Sequence, residues 1–326
     1  MVQRFLLPLL VLTSLLAYFW PAGWIDPFSK EISSYYLDWL IVVTMFSIGW
    51  MLPRDELDQV ARRWKTVLGG VLVQYATMPL LALGCGLLFQ LEGDYLLGMV
   101  LVGCVPGAMA SNVLTIHARG NASYSVSLTT VATLLSPLAV PLAMRLVAAL
   151  LGGRMDLLEQ AAGDGVYARS SIKLCYTVVA PVLTGFLVGR IFSGWERRAR
   201  QLCPLVANLA ILAIIAVVVG RTRTQLEDIP LQILAALLLL NLAGYTVGHL
   251  AARTMKLPDS MGRALTLEIG MQNAGVGTLL ALTLFTDISA IPPAFYTFGC
   301  MFTGTVLAGY WRKRDLKDER LLKSSS

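Results

Sequence analysis

Stretches such as Leu231 to Ala252, LQILAALLLLNLAGYTVGHLAA, constrain this chain more than any other feature. The run carries no Asp, Glu, Lys or Arg. At about 1.5 Å per residue it is long enough to cross a hydrocarbon layer of about 30 Å. A backbone in that layer must satisfy its own hydrogen bonds, so the segment has to be a helix. Similar runs recur along the 326 residues, separated by short charged joints such as Pro53 to Lys65, Arg190 to Arg200 and Arg221 to Pro230. Charged residues make up only 14% of the chain, against roughly 25% in a soluble domain, and the deficit lies in the apolar runs. The pattern predicts an all-α polytopic membrane protein with ten spans, near 4–22, 35–52, 66–90, 95–118, 122–151, 169–193, 203–221, 230–252, 259–285 and 289–311.

The first of these, from Phe5 to Trp20, follows Arg4 in the manner of a secretory signal. It ends in Tyr18-Phe19-Trp20-Pro21 with no small-residue cleavage site, so it reads as helix 1. The net charge of +6 does not indicate a nucleic-acid partner, because the basic residues flank spans rather than form a stripe with interleaved aromatics. They serve as topology signals. With the N-terminus in the cytoplasm, nineteen of the 26 basic residues fall on that side, Arg4, Arg54, Arg263 and Arg312 among them. Seven stay on the other side: Lys30, Arg145, Arg154, Arg169, Lys173, Arg221 and Arg223. That asymmetry puts both termini in the cytoplasm and requires an even number of spans. Within the membrane, Arg145 and Lys173 are expected to snorkel to the interface, and His117 and His249 are interfacial. Cys85, Cys104, Cys175, Cys203 and Cys300 make no CxxC pair and read as small packing residues.

Ten spans divide into five and five: a first repeat over 1–151, a second over 169–311, and a cytoplasmic tail over 312–326. An odd number per half forces the second half to insert upside down, the inverted-repeat plan of many secondary transporters. The fourth span of each half carries a small, polar, glycine-bearing interruption: Pro106-Gly107-Ala108-Met109-Ala110-Ser111-Asn112 in one, Glu268-Ile269-Gly270-Met271-Gln272-Asn273-Ala274-Gly275 in the other. Unwound backbone survives at membrane depth only where protein, water or an ion satisfies it, so matched interruptions point to a transport site near the midplane.

Of the twenty acidic residues, only Glu268 falls well inside an apolar span; Asp38, Asp55, Glu92, Asp156 and the rest lie at span ends, in joints or in the tail. A lone carboxylate there costs at least ~2.5 kcal/mol and calls for a proton, a partner or a bound cation. Its expected companions carry oxygen: Gln74, Ser111, Asn112, Ser125, Thr129, Gln272 and Asn273. Ser125 and Thr129 are four apart and share a helix face. One carboxylate among hydroxyls, amides and carbonyls suits a hard monovalent cation, since a divalent ion takes more carboxylate. No Ser/His, Cys/His or paired-acid constellation suggests an enzyme. Two transport readings stay open: a sodium-coupled symporter of an organic anion, and a sodium/proton antiporter with Glu268 as the exchanging acid.

PGAMASN, the following ARGNASYSVSLTTVATLLSP, and LTLEIGMQNAG together make the chain resemble the bile acid:sodium symporter family, over nearly its whole length and in particular its bacterial members. The resemblance implies a panel of helices 1, 2, 6 and 7, and a core of helices 3–5 and 8–10 in which broken helices 4 and 9 cross. It implies two coupling sodium ions and no other cofactor. One ion would be held by Ser111, Asn112, Ser125, Thr129 and Glu268. The other would take Gln74, Glu268, Gln272 and the carbonyls of Ile269 and Met271. Met109, Asn273, Ala274 and Cys300 would face the anion. The setting implied is a bacterial plasma membrane or an equivalent organelle membrane, with no obligate protein partner. The chain departs from the family pattern at Ala108 and Met109, where a second Gly and a Thr are usual, and at Cys300-Met301, where a His-Asn pair lines the substrate cavity. Cation residues are kept while cavity residues differ. Sodium coupling is therefore expected, and the substrate is open among bile acids, pantoate, pyruvate and other organic acids.

Overall fold

A computed structural model describes residues 6–21, 24–53, 55–151 and 165–324. Arg4, Arg54, Arg154 and Asp156, which the charge argument used, lie outside the described residues. The secondary-structure elements are helices: α1 (Leu6–Tyr18), α2 (Lys30–Met51), α3 (Glu56–Arg62), α4 (Trp64–Leu88), α5 (Gly93–Cys104), α6 (Ala110–His117), α7 (Ala122–Leu151), α8 (Val166–Ile191), α9 (Glu196–Arg221), α10 (Arg223–Leu226), α11 (Leu231–Thr254), α12 (Asp259–Gly270), α13 (Ala274–Leu284) and α14 (Ile291–Ser324). Short 3₁₀ turns precede α9 and α14, and a π-helical stretch, Cys175–Val179, lies inside α8. Among the described residues, α2, α4, α7, α8, α9 and α11 are each long and apolar enough to cross a membrane. The chain is a multi-pass integral membrane protein.

Side chains are distributed as a lipid solvent requires. On α7, Leu138, Leu142, Leu146 and Leu150 recur every four residues and are exposed, Leu138 to 74%. Ser125, Thr129, Thr133 and Ser136 of the same helix are buried. Apolar groups face out because hydrocarbon solvates them, and hydroxyls face in because only protein can hydrogen-bond them. Prolines 79, 137, 141 and 204 sit inside helices, which neighbouring helices make tolerable at this depth.

Two groups of helices pack mainly within themselves, with α8 of the first also lying along α7 of the second. In one, α2 lies along α8 and α9, and α1 along α9. In the other, α11 lies along α12 and α4, α4 also meets α5 and α7, and α14 meets α5, α11 and α13. Small residues let the second group close up. A Cβ at Gly248 would stand 2.8 Å from the Thr266 Cα, and one at Gly244 would stand 3.0 Å from the Gly270 Cα. The GxxxG face of α11 thus brings its backbone against that of α12.

The structure changes several sequence expectations. Lys173 does not snorkel: it is buried, with its ammonium 2.6 Å from both carboxylate oxygens of Asp38. α2 supplies the acid, Asp38, whose side chain is itself 37% exposed. Arg145 is exposed and lies over the Tyr167 ring. Four cysteines are buried as expected, but Cys175 is exposed. The last helix does not stop at the end of its apolar run; it continues to Ser324. Its charged extension is tied back by Asp315, which receives two hydrogen bonds from Arg263 at 2.6 and 2.8 Å, and by an Arg119–Glu319 ion pair.

Candidate functional site

Both interruptions are real breaks in helices. α5 ends at Cys104, Val105 turns extended (φ −80°, ψ 161°), and α6 starts at Ala110. α12 ends at Gly270, Met271 turns extended (φ −116°, ψ 96°), and α13 starts at Ala274. The two breaks then satisfy one another. Ala108 N donates to Met271 O and Asn273 N to Pro106 O, both at 2.7 Å, around an antiparallel bridge between Gly107 and Gln272. This is where the freed backbone groups of both helices go. Asn273 also caps α13, its Oδ1 accepting from Val276 N at 3.4 Å.

Glu268, in the last turn of α12, is fully buried at this crossing. Its Oε2 accepts from Ser111 Oγ at 2.5 Å and its Oε1 from Thr129 Oγ1 at 2.7 Å. Asn112 Oδ1 accepts from Ser125 Oγ at 2.7 Å and lies 3.3 Å from Thr129 Oγ1. Ser111, Asn112, Ser125, Thr129 and Glu268 therefore form one buried cluster of oxygens, drawn from α6, α7 and α12. None of the ion pairs among the described residues involves Glu268. The donor set fits a small hard cation: it is all oxygen, with one negative charge and no basic side chain. Among the described residues no three His, Cys, Asp or Glu side chains gather to hold a metal.

A second polar group adjoins the first. Gln74 Nε2 donates to Gln272 Oε1 at 3.2 Å, and Gln272 Nε2 donates to Ile269 O at 2.7 Å. Gln74, Ile269, Met271 and Gln272 are thus all held at the break of α12, and all are buried. Met109 and Asn273 are half-buried at the crossing, and Ala274 is buried at the start of α13. Cys300 is buried on α14, its thiol donating within the helix to Thr297 O and its carbonyl 3.4 Å from the Tyr245 hydroxyl. His117 and His249 are exposed and take no part.

The sequence reading passed over three features. Gly107 is placed so that a Cβ there would overlap the Glu268 carboxylate. Asn241, Tyr245, Tyr296 and Thr303 form a polar network behind the break of α12. Asn241 interrupts LLLLNLAG, and a lone amide in such a run was signal enough to find it. The third is Glu56, in the short helix between α2 and α4. It is only 1% exposed, so Glu268 is not the only buried acid. Ser127 Oγ donates to its Oε1 at 2.7 Å, while its Oε2 has no partner among the described residues. Burial raises the Glu56 pKa above 4.5; the Ser127 hydrogen bond opposes this and the nearby Asp55 charge adds to it. A folded-state pKa raised above the unfolded one stabilises the fold below the unfolded value, and that stability is lost as pH rises through the folded one. As pH rises above the ordinary glutamate range, the thermal midpoint of the purified protein should fall. Glu56→Gln should flatten that dependence, and an unchanged pH profile would contradict this account.

Known transporters resemble this chain over most of its length. Residues 39–229 match the model of the Sodium Bile acid symporter family. The chain is 35% identical over 295 residues to the uncharacterized sodium-dependent transporter YocS of Bacillus subtilis (strain 168), covering 90% of this chain and 88% of that protein. It is 28% identical over 297 residues to the probable sodium/metabolite cotransporter BASS1, chloroplastic, of Oryza sativa subsp. japonica, covering 91% and 69%. It is 26% identical over 279 residues to the ileal sodium/bile acid cotransporter of Homo sapiens, covering 83% and 77%. The family-model match and these relatives together show that the chain belongs to the sodium bile acid symporter family, a family of sodium-dependent transporters and not of enzymes.

Proposed function

We propose that the chain is a symporter that couples sodium to the uptake of a small organic anion by alternating access. One observation carries the reading: a fully buried Glu268, outside every ion pair described, sits among hydroxyl and amide oxygens where two broken helices cross. A cation is the natural counter-charge for it. One sodium ion takes Ser111, Asn112, Ser125, Thr129 and Glu268; a second takes Gln74, Glu268, Gln272 and the Ile269 and Met271 carbonyls. The division into two ions rests on the family resemblance.

Several features support the architecture this needs. The order of two helices, a helix, a broken helix and a helix occurs twice: α1, α2, α4, α5–α6, α7 and then α8, α9, α11, α12–α13, α14. This suits ten spans in two inverted repeats. The packing of α1 on α9 and of α2 on α8 and α9, with α8 meeting α7 along the seam, suits a panel that rocks against a core. With the charge asymmetry, the termini lie in the cytoplasm, in a bacterial plasma membrane or an equivalent organelle membrane.

Sodium neutralises Glu268 and fixes the two crossing segments. The N-terminal ends of α6 and α13, near Met109, Asn273 and Ala274, then turn the positive ends of their helix dipoles to the anion. On the family resemblance, Cys300 of α14 faces the same anion. Coupling follows if the anion binds the sodium-loaded state better. The relatives whose names state a coupling mode are cotransporters, so the antiporter reading is not carried further. Ala108-Met109 and Cys300-Met301 stand where the bile-acid pattern differs, which favours a small carboxylate.

The test is uptake into proteoliposomes of bile acid, pantoate and pyruvate, each with an inward sodium or potassium gradient. One acid should accumulate with sodium alone. Equal uptake in potassium would overturn the coupling, and sodium–proton exchange without any organic substrate would replace symport by antiport.

A further inference from the structure

The helix α12 ends inside the protein, which leaves its last carbonyls without helical partners. Their fates differ. Ile269 O accepts from the Gln272 side chain, and Met271 O accepts from Ala108 N. Gly270 O, between them, accepts two strong hydrogen bonds from behind the break. One comes from Asn241 Nδ2 on α11 and one from the Tyr296 hydroxyl on α14, each at 2.7 Å. Two donors use both lone pairs of that oxygen.

The two donors are themselves braced. Thr303 Oγ1 donates to Asn241 Oδ1 at 2.6 Å, orienting the amide so that its NH₂ faces Gly270. Tyr245 OH lies 3.2 Å from Thr303 Oγ1, and its ring covers Gly270 so closely that a Cβ there would overlap it. Asn241, Tyr245 and Tyr296 are all buried. The polar groups of this network have protein partners. What they hold is one peptide plane.

Backbone that turns extended sends successive carbonyls to opposite sides. Pinning Gly270 O toward α11 and α14 therefore sets the direction of Met271 O toward the crossing, and leaves Gln272 to fold back onto Ile269 O. We infer that Asn241 and Tyr296, braced by Thr303, are positioning residues for the sodium site at the α12 break: they hold the Gly270 carbonyl away from the ion so that the neighbouring carbonyls and Gln272 keep a fixed geometry. The inference rests on the sodium reading above and adds to it the residues that tune sodium affinity without touching the ion. The network also reaches the Cys300 carbonyl through Tyr245, so the helix proposed to face the anion and the cation break share one set of hydrogen bonds.

The experiment measures thermal stabilisation of the purified full-length protein by sodium chloride, with potassium chloride keeping ionic strength constant, and needs no substrate. Partners that orient the ligands of a metal typically change its affinity by about 10–100-fold when removed. Asn241→Ala and Tyr296→Phe should raise the half-saturating sodium concentration by about that factor, Thr303→Val by about tenfold, and Thr303→Ser, which keeps the hydroxyl, should leave it near the wild-type value. A merely structural role would lower the thermal midpoint without sodium and leave the sodium midpoint unmoved. If Asn241→Ala does not fold, Tyr296→Phe and the Thr303 pair decide. A wild type that responds to sodium, with Tyr296→Phe and Thr303→Val both within twofold of it, overturns this inference alone. A wild type indifferent to sodium overturns the sodium reading and this inference with it.

Discussion

Glu268→Gln should abolish sodium-driven uptake and weaken sodium binding by about three orders of magnitude. The carboxylate is the only acidic group in its oxygen cluster and is fully buried. A unit charge about 4 Å from a cation, at an effective dielectric near 20, contributes ~4 kcal/mol. Each 1.4 kcal/mol is about tenfold in affinity. Glutamine preserves shape and volume, so the fold should survive. It also places an NH₂ against the Ser111 or Thr129 hydroxyl, which must turn from donating to accepting. Glu268→Asp keeps the charge but shortens the reach, and should retain partial sodium dependence. The readouts are sodium titration of thermal stability and uptake in proteoliposomes. A Glu268→Gln protein whose sodium midpoint moves less than tenfold would remove Glu268 from the cation site.

The second large effect is expected from a single methyl group. In Gly107→Ala the new Cβ overlaps the Glu268 carboxylate. Gly107 has little freedom to retreat, because the flanking residues carry the two hydrogen bonds that join the breaks, Asn273 N to Pro106 O and Ala108 N to Met271 O. Either the carboxylate leaves Ser111 and Thr129, or the crossing opens. Overpacking of this kind costs about 1–3 kcal/mol, so sodium affinity and uptake should fall about 10–100-fold. Gly84→Ala is the matched control. Gly84 lies within α4, and a Cβ there meets nothing within 4 Å, so the change should be neutral or slightly stabilising. Equal behaviour of the two variants would mean that the crossing is loose enough to absorb a methyl group.

Much of the membrane architecture could be read without coordinates, because hydropathy measures transfer into lipid directly. The long helices α2, α4, α7, α8, α9 and α11 coincide with predicted spans. Their ends do not. α9 starts at Glu196 rather than near 203, and α14 runs on past Arg312 to Ser324. Hydropathy marks where lipid begins, whereas a helix stops where its hydrogen bonds stop, and charged turns continue it into water. Lys173 was misread for a related reason. Nothing local in α8 announces that Asp38, 135 residues earlier, sits opposite to receive its charge.

The breaks at 105–109 and 271–273 were legible because glycine, proline and clustered polar side chains are costly in an apolar helix. Glu268 was legible because a lone carboxylate is costlier still. These are local properties, and with the hydropathy pattern they let the amino-acid sequence determine by itself that the chain crosses a membrane several times, where its helices break and which acid is out of place. The tertiary structure alone decided that the two breaks hydrogen-bond to one another, that Gly107 makes room for the Glu268 carboxylate, that Glu56 is buried against Ser127, and that Asn241 and Tyr296 pin the Gly270 carbonyl. Each of these joins residues far apart in the chain. They depend on the rotation of each helix about its axis and on which backbones approach, and those follow from close packing of small residues such as Gly244 and Gly248, which no pattern along a single segment records.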